Sequence, residues 1–503
     1  MPYNKSLQRT DNPPALRLAS CRPLSFVVTQ TARRQRKMAL DRKLEKQLRK
    51  IVGKRNVLTL PEQLSVYGYD ASLDRGQPDV VVLVESTEQV AQVVRLATAN
   101  SVPYVARGSG TSLSGGPVPA RGGIVLEMSR MARVEQIDPR DRSAVVGAGI
   151  YNLKIAEALK PYGFTYAPDP ASQKVSTIGG NVAENAGGPH CLKYGVTSHH
   201  VLGVEVVWPD GTVEWLGQDG EETGYDLLGL LIGSEGTLGV VTRVKVKIVP
   251  LPEAVKTMLA VFDSLTDAAD AVSDIIGEGI LPATLEMMDR TTIQVVEDSM
   301  AVGYPRDAEA VLVIEVDGPA AGIQVEANAV AEICRRHRVR ELRVAKDDAE
   351  RDRLWAGRRG AYGAMTRIQP STMVADGTVP RTKLPYVLKR VAEIADKYGL
   401  TVGNLLHAGD GNLHPNIVFD ANNPEEKERA LKASFEILEV CVEVGGTISG
   451  EHGIGLEKRS AMRLLFDERE LNLMRQLKRV FDPQGLCNPD KIFPVPENAK
   501  TQP

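Results

Sequence analysis

Between Lys256 and Ala345 the hydrophobic pattern changes period in a set order: a strand over 256–262, a helix over 265–277, strands over 282–288 and 309–316, a helix over 322–337 and a strand over 340–345. This β-α-β-β-α-β order is that of a ferredoxin-like half, and it commits this part of the chain to an α+β arrangement. A second set begins near 371, with a helix over 384–398, a hairpin around 403–419, a helix over 424–444 and a strand at Gly446. Pro250 and Pro252 separate both sets from what precedes them. At 503 residues a single core is improbable on size alone, and about three folding units are expected.

Upstream, Asp79 to Val84 reads as a buried strand, Ser86-Thr87-Glu88-Gln89 as a capping box, and Val90, Val93, Val94 and Ala97 as one face of a helix ending at Asn100. A second strand opens at Pro103 and runs into Arg107-Gly108-Ser109-Gly110-Thr111-Ser112-Leu113-Ser114-Gly115-Gly116. Glycines and hydroxyls at a strand end present backbone N–H groups that suit a phosphate, although a surface loop has the same composition. Strands over 124–127 and 143–148 and a helix over 151–160 follow. Pro168-Asp169-Pro170 then leads into a second glycine-rich run, Thr177 to Gly188, and a third, Gly233 to Thr242, enters an alternating strand over 240–249. Two such loops can grip a long ligand at two points. No Gly-x-Gly-x-x-Gly opens a helix, which argues against a nicotinamide cofactor.

Two of seven histidines, His407 and His414, flank the turn Ala408-Gly409-Asp410-Gly411-Asn412 inside the second hairpin. If the strands pair symmetrically about it, the two imidazoles face each other at the loop end. Gly450-Glu451-His452-Gly453 supplies a carboxylate downstream. Two imidazoles and one carboxylate (His407, His414, Glu451) leave coordination positions open, as a catalytic metal site requires, with His452 free to act as a base. Asn416, two residues past His414, shares its face of the strand. Each histidine taken singly is explained as well by a structural hydrogen bond.

A net charge of -3 and a pI near 6.3 offer no electrostatic footprint for nucleic acid. Five scattered cysteines with no Cys-x-x-Cys indicate neither a disulfide framework nor an iron–sulfur cluster, and a reducing compartment fits. No run of about twenty apolar residues spans a membrane. Residues 1–37 carry eight Lys or Arg against one acid, the balance of a targeting peptide, a tail, or an extension ahead of a start at Met38.

Ile178 to Gly188 with Leu192-Lys193-Tyr194-Gly195, Gly233 to Thr242 and the two histidine loops resemble the flavin-dependent oxidases and dehydrogenases of the vanillyl-alcohol oxidase (PCMH) type, and among them the glycolate oxidase and D-lactate dehydrogenase branch. The resemblance covers roughly residues 50–495. It implies an α+β fold: an FAD-binding domain of the PCMH type over 40–250, a ferredoxin-like cap or substrate domain over 251–470, and a segment over 471–503 that returns to the FAD domain, with 1–39 outside the fold. Arg107, Gly108, Ser109, Gly110, Thr111, Ser112, Gly115 and Gly116 are then expected to cradle the FAD pyrophosphate. Pro168, Asp169, Thr177, Gly179, Gly180, Asn181, Asn185, Gly187, Gly188, Tyr194, Glu235, Gly236, Gly239 and Val240 are expected around the flavin ring and ribityl chain. Thr111 stands where some relatives carry a flavin-linking histidine, which implies non-covalent FAD.

The resemblance also implies a D-2-hydroxy acid substrate, with Arg358 holding its carboxylate, a divalent metal (zinc is the expected ion) on His407, His414 and Glu451, and His452 accepting the hydroxyl proton. Relatives that take dicarboxylates carry a lysine where this chain has Met373-Val374-Ala375, which points to glycolate or D-lactate rather than D-2-hydroxyglutarate. The expected electron acceptor is an iron–sulfur or related flavin subunit, and the expected location is cytoplasmic, on the inner membrane through that partner. A non-catalytic flavin-binding subunit, a direct oxygen-using oxidase and a zinc hydrolase remain as rivals, the last without a His-Glu-x-x-His helix.

Overall fold

The structure, a computed structural model, describes residues 41–217 and 224–495. The expectations for residues 1–39 and for the end of the chain past 495 lie outside the described residues.

Strands Val57–Leu58, Val80–Leu83, Ile124–Glu127 and Tyr104–Arg107 form a four-stranded sheet in that order, parallel except for the first. The helix Thr87–Ala99 packs on it through Val90, Ala91, Val93, Val94 and Ala97. Ser86 caps this helix by accepting the Gln89 N–H at 3.3 Å, but the Gln89 side chain reaches back to the Glu85 N–H at 2.8 Å rather than to Ser86, so the expected capping box is offset by one residue. A five-stranded antiparallel sheet follows, in the order Val134–Asp138, Ser143–Gly147, Val240–Lys247, Val201–Val207, Val213–Leu216. The strand over 134–138 escaped the sequence reading because it carries Glu135 and Gln136 on an exposed edge.

Residues 254–419 contribute one eight-stranded sheet. Its first half runs Glu341–Val344, Ala254–Phe262, Ala310–Gly318, Thr284–Asp289, the ferredoxin-like order that the pattern predicts. The second half, Thr401–His407, Asn412–Phe419 and Ser371–Val374, with the short Gly377–Thr378 also paired to Asn412–Phe419, continues it, because Thr284–Asp289 pairs antiparallel with Thr401–His407. Alternation gives the sheet two faces. One carries Met258, Ala260, Phe262, Leu312, Ile314, Leu406, Leu413 and Ile417 into a core covered by the helices Leu265–Gly277, Ile323–Arg336, Leu384–Tyr398 and Pro424–Glu443. The other carries Leu259, Val261, Met288, Val311, Val313, Leu405 and Val418 under the helices Arg290–Met300 and Asp348–Met365. Beyond that cover, the same alternate positions become polar: Glu315, Glu286, His407, His414 and Asn416.

Residues after 250 meet those before it at several places, among them a strand-like pairing and a charged bridge. At the end of the chain, Asn488 donates its N–H to the Tyr104 carbonyl at 2.8 Å, so the closing segment runs beside the strand Tyr104–Arg107. In the middle, His190 bridges Asp169 (Nδ1–Oδ2 2.8 Å) and Glu315 (Nε2–Oε1 3.5 Å), and Glu315 also accepts from Thr257 at 2.5 Å and from Trp355 Nε1 at 2.9 Å. Burial alone would raise the Glu315 carboxyl, but the His190 hydrogen bond and the Arg351 charge hold it down to about 2. Burial alone would lower His190, yet the Asp169 carboxylate lifts it to about 10.

The signs set a pH window. The lowered Glu315 contributes stability above its ordinary value of 4.5 and loses it as pH falls toward 2. The raised His190 contributes fully below its ordinary 6.5 and loses it as pH rises through 10. The Tm of the wild type should therefore decline between pH 6.5 and 10 more steeply than that of His190→Gln; parallel calorimetric profiles would refute the coupling.

Candidate active site

The histidine hairpin pairs two residues off the symmetric register. His407 sits opposite Asn412, and His414 opposite Leu405, so the two histidines are diagonal neighbours on one face rather than partners across the loop. Gly411 makes this possible: at φ +78°, it lies where a Cβ would come within 2.1 Å of the Val379 carbonyl. The ring centroids are 5.1 Å apart.

Glu451 closes the triad. Its Oε1 lies 3.2 Å from His407 Nε2 and 3.5 Å from His414 Nε2. Ligand atoms about 2.0–2.1 Å from a tetrahedral ion stand about 3.3 Å apart, so the donor set has the spacing of a metal site. His414 Nε2 is buried and makes no hydrogen bond, which leaves a lone pair for an ion. The other ring nitrogen of His407 meets Glu286 Oε1 at 2.8 Å, the carboxylate support that orients metal-binding histidines. Burial alone would push His407 down, but Glu286 and Glu451 on either side hold it well above its ordinary value. The pocket thus calls for positive charge between these groups, and a cation on Nε2 supplies it.

His452 stacks on His414 at 4.7 Å, with Nε2 3.8 Å from Glu451 Oε1 and Nδ1 3.9 Å from Asp376 Oδ2. Burial drives its pKa down to about 4, so the imidazole is unprotonated at neutral pH and able to take a proton. Asp376, fully buried, holds this loop in place. It accepts from Ser449 Oγ (2.8 Å), from the N–H groups of Gly450, Glu451 and His452 (3.2, 3.3 and 3.0 Å), and from Lys458 Nζ (2.8 Å). A second overlapping triad, Asp376, His414 and His452, also has ligand spacing, but the Asp376 oxygens are already engaged by Lys458 and by three backbone N–H groups.

Arg358, on the helix Asp348–Met365, is buried and donates Nε to Glu286 Oε2 at 2.6 Å, with a second guanidinium nitrogen 3.4 Å from His407 Nδ1. Asn416 donates Nδ2 to the His414 carbonyl at 2.7 Å, while its Oδ1 makes no hydrogen bond.

Of these residues, Arg358, His407, His414, Asn416, Glu451 and His452 line a cavity of ≈ 620 Å³, a volume suited to a large organic ligand. The three glycine-rich loops line the same cavity. Arg107, Gly108, Ser109, Gly110, Thr111, Ser112, Gly116, Thr177, Gly179, Gly180, Asn181, Gly187, Glu235, Gly236 and Gly239 all face it. Glycine is needed at 108, where a Cβ would meet Thr177 Oγ1 at 2.1 Å, and favoured at 110, where φ is +70°. Arg107, Ser176 and Asn181 each keep a buried side-chain atom without a partner on this wall, as a polar ligand there requires.

The remaining sequence candidates lie behind the wall. Gly115 donates its N–H to Asp70, Pro168 offers its carbonyl to Asn152, Asp169 pairs with His190, and Tyr194 donates to Asp317 at 2.5 Å. Asn185 ends a helix in the left-handed region, Gly188 sits against the Asp169 backbone, and Val240 belongs to a core. These hold loops in shape and do not reach the cavity. Conversely, Glu286, Asp376 and Lys458 went unassigned from sequence. The one signal for Glu286 was an acid at an inward position of an otherwise apolar strand.

A glycine-walled cavity facing a histidine–carboxylate cluster defines a flavin-dependent oxidoreductase. Residues 251–492 match the C-terminal domain of FAD linked oxidases and residues 78–217 an FAD binding domain, and this chain belongs to the FAD-linked oxidases. It is 47% identical over 450 residues to glycolate oxidase subunit GlcD of Escherichia coli (strain K12), covering 89% of this chain and 90% of the relative. It is 34% identical over 420 residues to a D-lactate dehydrogenase of Archaeoglobus fulgidus, covering 82% and 91%. The fold is shared with p-cresol methylhydroxylase, with a TM-score of 0.76 at 17% identity over 89% of this chain and 95% of that one. Among the described residues no helix is long and apolar enough to cross a membrane.

Proposed function

We propose that this chain oxidises a small D-2-hydroxy acid, glycolate or D-lactate, to the 2-oxo acid. The observation that carries this reading is the convergence of His407, His414, Glu451, His452 and Arg358 on one wall of the cavity that the FAD-binding loops line. FAD, when bound, supplies the two-electron acceptor. A divalent cation, zinc by ligand chemistry, held by His407, His414 and Glu451 would supply a Lewis acid for the hydroxyl. Arg358 fixes the carboxylate through its planar donor edge, His452 accepts the hydroxyl proton, and the Asp376 carboxylate nearby stabilises the imidazolium that results. Asn416 turns its free Oδ1 to the substrate or the cation. The relatives named for glycolate and D-lactate support the substrate class. Anaerobic addition of glycolate or D-lactate should bleach the flavin absorption, and failure of both would overturn the proposal.

FAD is held without a covalent bond. Thr111, which the family resemblance sets at the position of a flavin-linking histidine, lines the cavity, and a threonine hydroxyl is a poor nucleophile toward the flavin. Acid precipitation should release the yellow colour to the supernatant; colour retained in the pellet would refute this.

Electrons then pass to a separate iron–sulfur or flavin subunit at the inner face of the membrane. The GlcD relatives are named as subunits, and the cysteines among the described residues are free and scattered. The reduced isolated chain should therefore react slowly with air, and rapid sustained peroxide formation would count against a partner.

A further inference from the structure

Glu235 sits on the flavin side of the cavity but turns its carboxylate toward the catalytic loop. It accepts the Ile454 N–H at 2.6 Å and the Gly455 N–H at 2.7 Å, two and three residues past His452. Glu184, the last residue of the helix Ile178–Glu184, meets it there. A methyl group at Gly453 would lie 2.6 Å from Glu184 Oε2 and 2.9 Å from Glu235 Oε1, so the two carboxyls converge from separate loops on one backbone position. On its other side, Glu184 packs Oε1 against Gly116, where a Cβ would come within 2.4 Å.

Hydrogen-bond donors are divided unequally: Glu184 is met by the Ser112 hydroxyl, Glu235 by two backbone N–H groups. Glu184 Oε2 is buried and accepts no hydrogen bond. The other charges facing the pair are Asp70, which adds repulsion, and Lys458 and Lys491, which offset part of it. Two buried like charges this close cannot both ionise.

We propose that Glu184 and Glu235 form a carboxyl pair holding one proton, with Glu184 protonated and Glu235 ionised, and that its single charge positions the His452 loop against the flavin-binding loops. This rests on the reading of His452 as the base. Both are positioning residues: they act on His452 through the backbone of Gly453 to Gly455. Burial, reinforced by the Glu235 charge, holds Glu184 well above the usual carboxylate range. Burial raises Glu235 as well, but the two N–H groups pull it back and decide which member carries the charge.

The test compares the infrared spectra of wild-type holoenzyme and Glu184→Gln at pH 7, together with the kinetics of Glu184→Gln and Glu235→Gln. The wild type should show the C=O stretch of a protonated carboxylic acid, and Glu184→Gln should lose it. Glu235→Gln, which removes the charged acceptor of two N–H groups, should lower kcat by roughly tenfold or more with KM and metal content little changed. Glu184→Gln, neutral as the native group is neutral, should cost less. Absence of the band, or a loss in Glu184→Gln as large as in Glu235→Gln, overturns the proposal. If Glu235→Gln does not fold, the infrared comparison decides alone. If no 2-hydroxy acid reduces the wild-type flavin, the base reading fails while the band still reports on the pair.

Discussion

His452→Ala is expected to keep its metal and its flavin and to lose roughly 100- to 10,000-fold in the rate of anaerobic flavin reduction, the usual loss for a general base. Glu451→Ala is expected to lose the metal instead, because its carboxylate is the acid within reach of both His407 Nε2 and His414 Nε2. Glu451 packs against Gly187, but neither side chain hydrogen-bonds a glycine-rich loop, so both variants should bind FAD. Elemental analysis with stopped-flow reduction separates the roles. If His452→Ala loses the ion while Glu451→Ala retains it, the cation belongs to the overlapping triad of Asp376, His414 and His452. Unchanged reduction rates in both variants would remove the catalytic reading of this loop altogether.

Arg358→Met is expected to lower kcat/KM by roughly 100-fold or more, since it removes a charge-assisted donor to the substrate and strips Glu286 of its buried partner. Arg358→Lys should rescue little, because an ammonium cannot present two parallel donors. The same cavity bears on chain length. Val374 lines it and Met373 and Ala375 are buried beside it, so a second substrate carboxylate finds no lysine there. Wild type should therefore prefer glycolate or D-lactate to D-2-hydroxyglutarate in kcat/KM. A preference for the dicarboxylate would overturn that reading and point to exposed Arg359, at the cavity edge, as the second cationic partner.

The legible parts of this molecule were those written in short-range pattern. Strand and helix periods gave the order of the cap, and three runs of glycine and hydroxyl residues marked the loops that now line the cavity. His407, His414, Glu451 and His452 were legible because each stands beside a glycine-rich turn. The register between the first two was not. A two-residue offset at Gly411 depends on the approach of Val379, 32 residues earlier in the chain, and no local rule encodes that.

What the sequence by itself determined is therefore the set of elements, the residue types available for flavin and metal, and the candidates for base and substrate anchor. What only the tertiary structure decided is which carboxylate serves which cation. Glu286 reaches His407 because two ferredoxin-like halves share an antiparallel strand pair, across 121 residues of chain. Asp376 reaches the N–H groups of Gly450 to His452 across more than 70, and Glu235 reaches Gly455 across 220. Buried charges must find partners wherever the chain brings them, and the choice among many acids of one kind is made by packing and not by spacing along the chain.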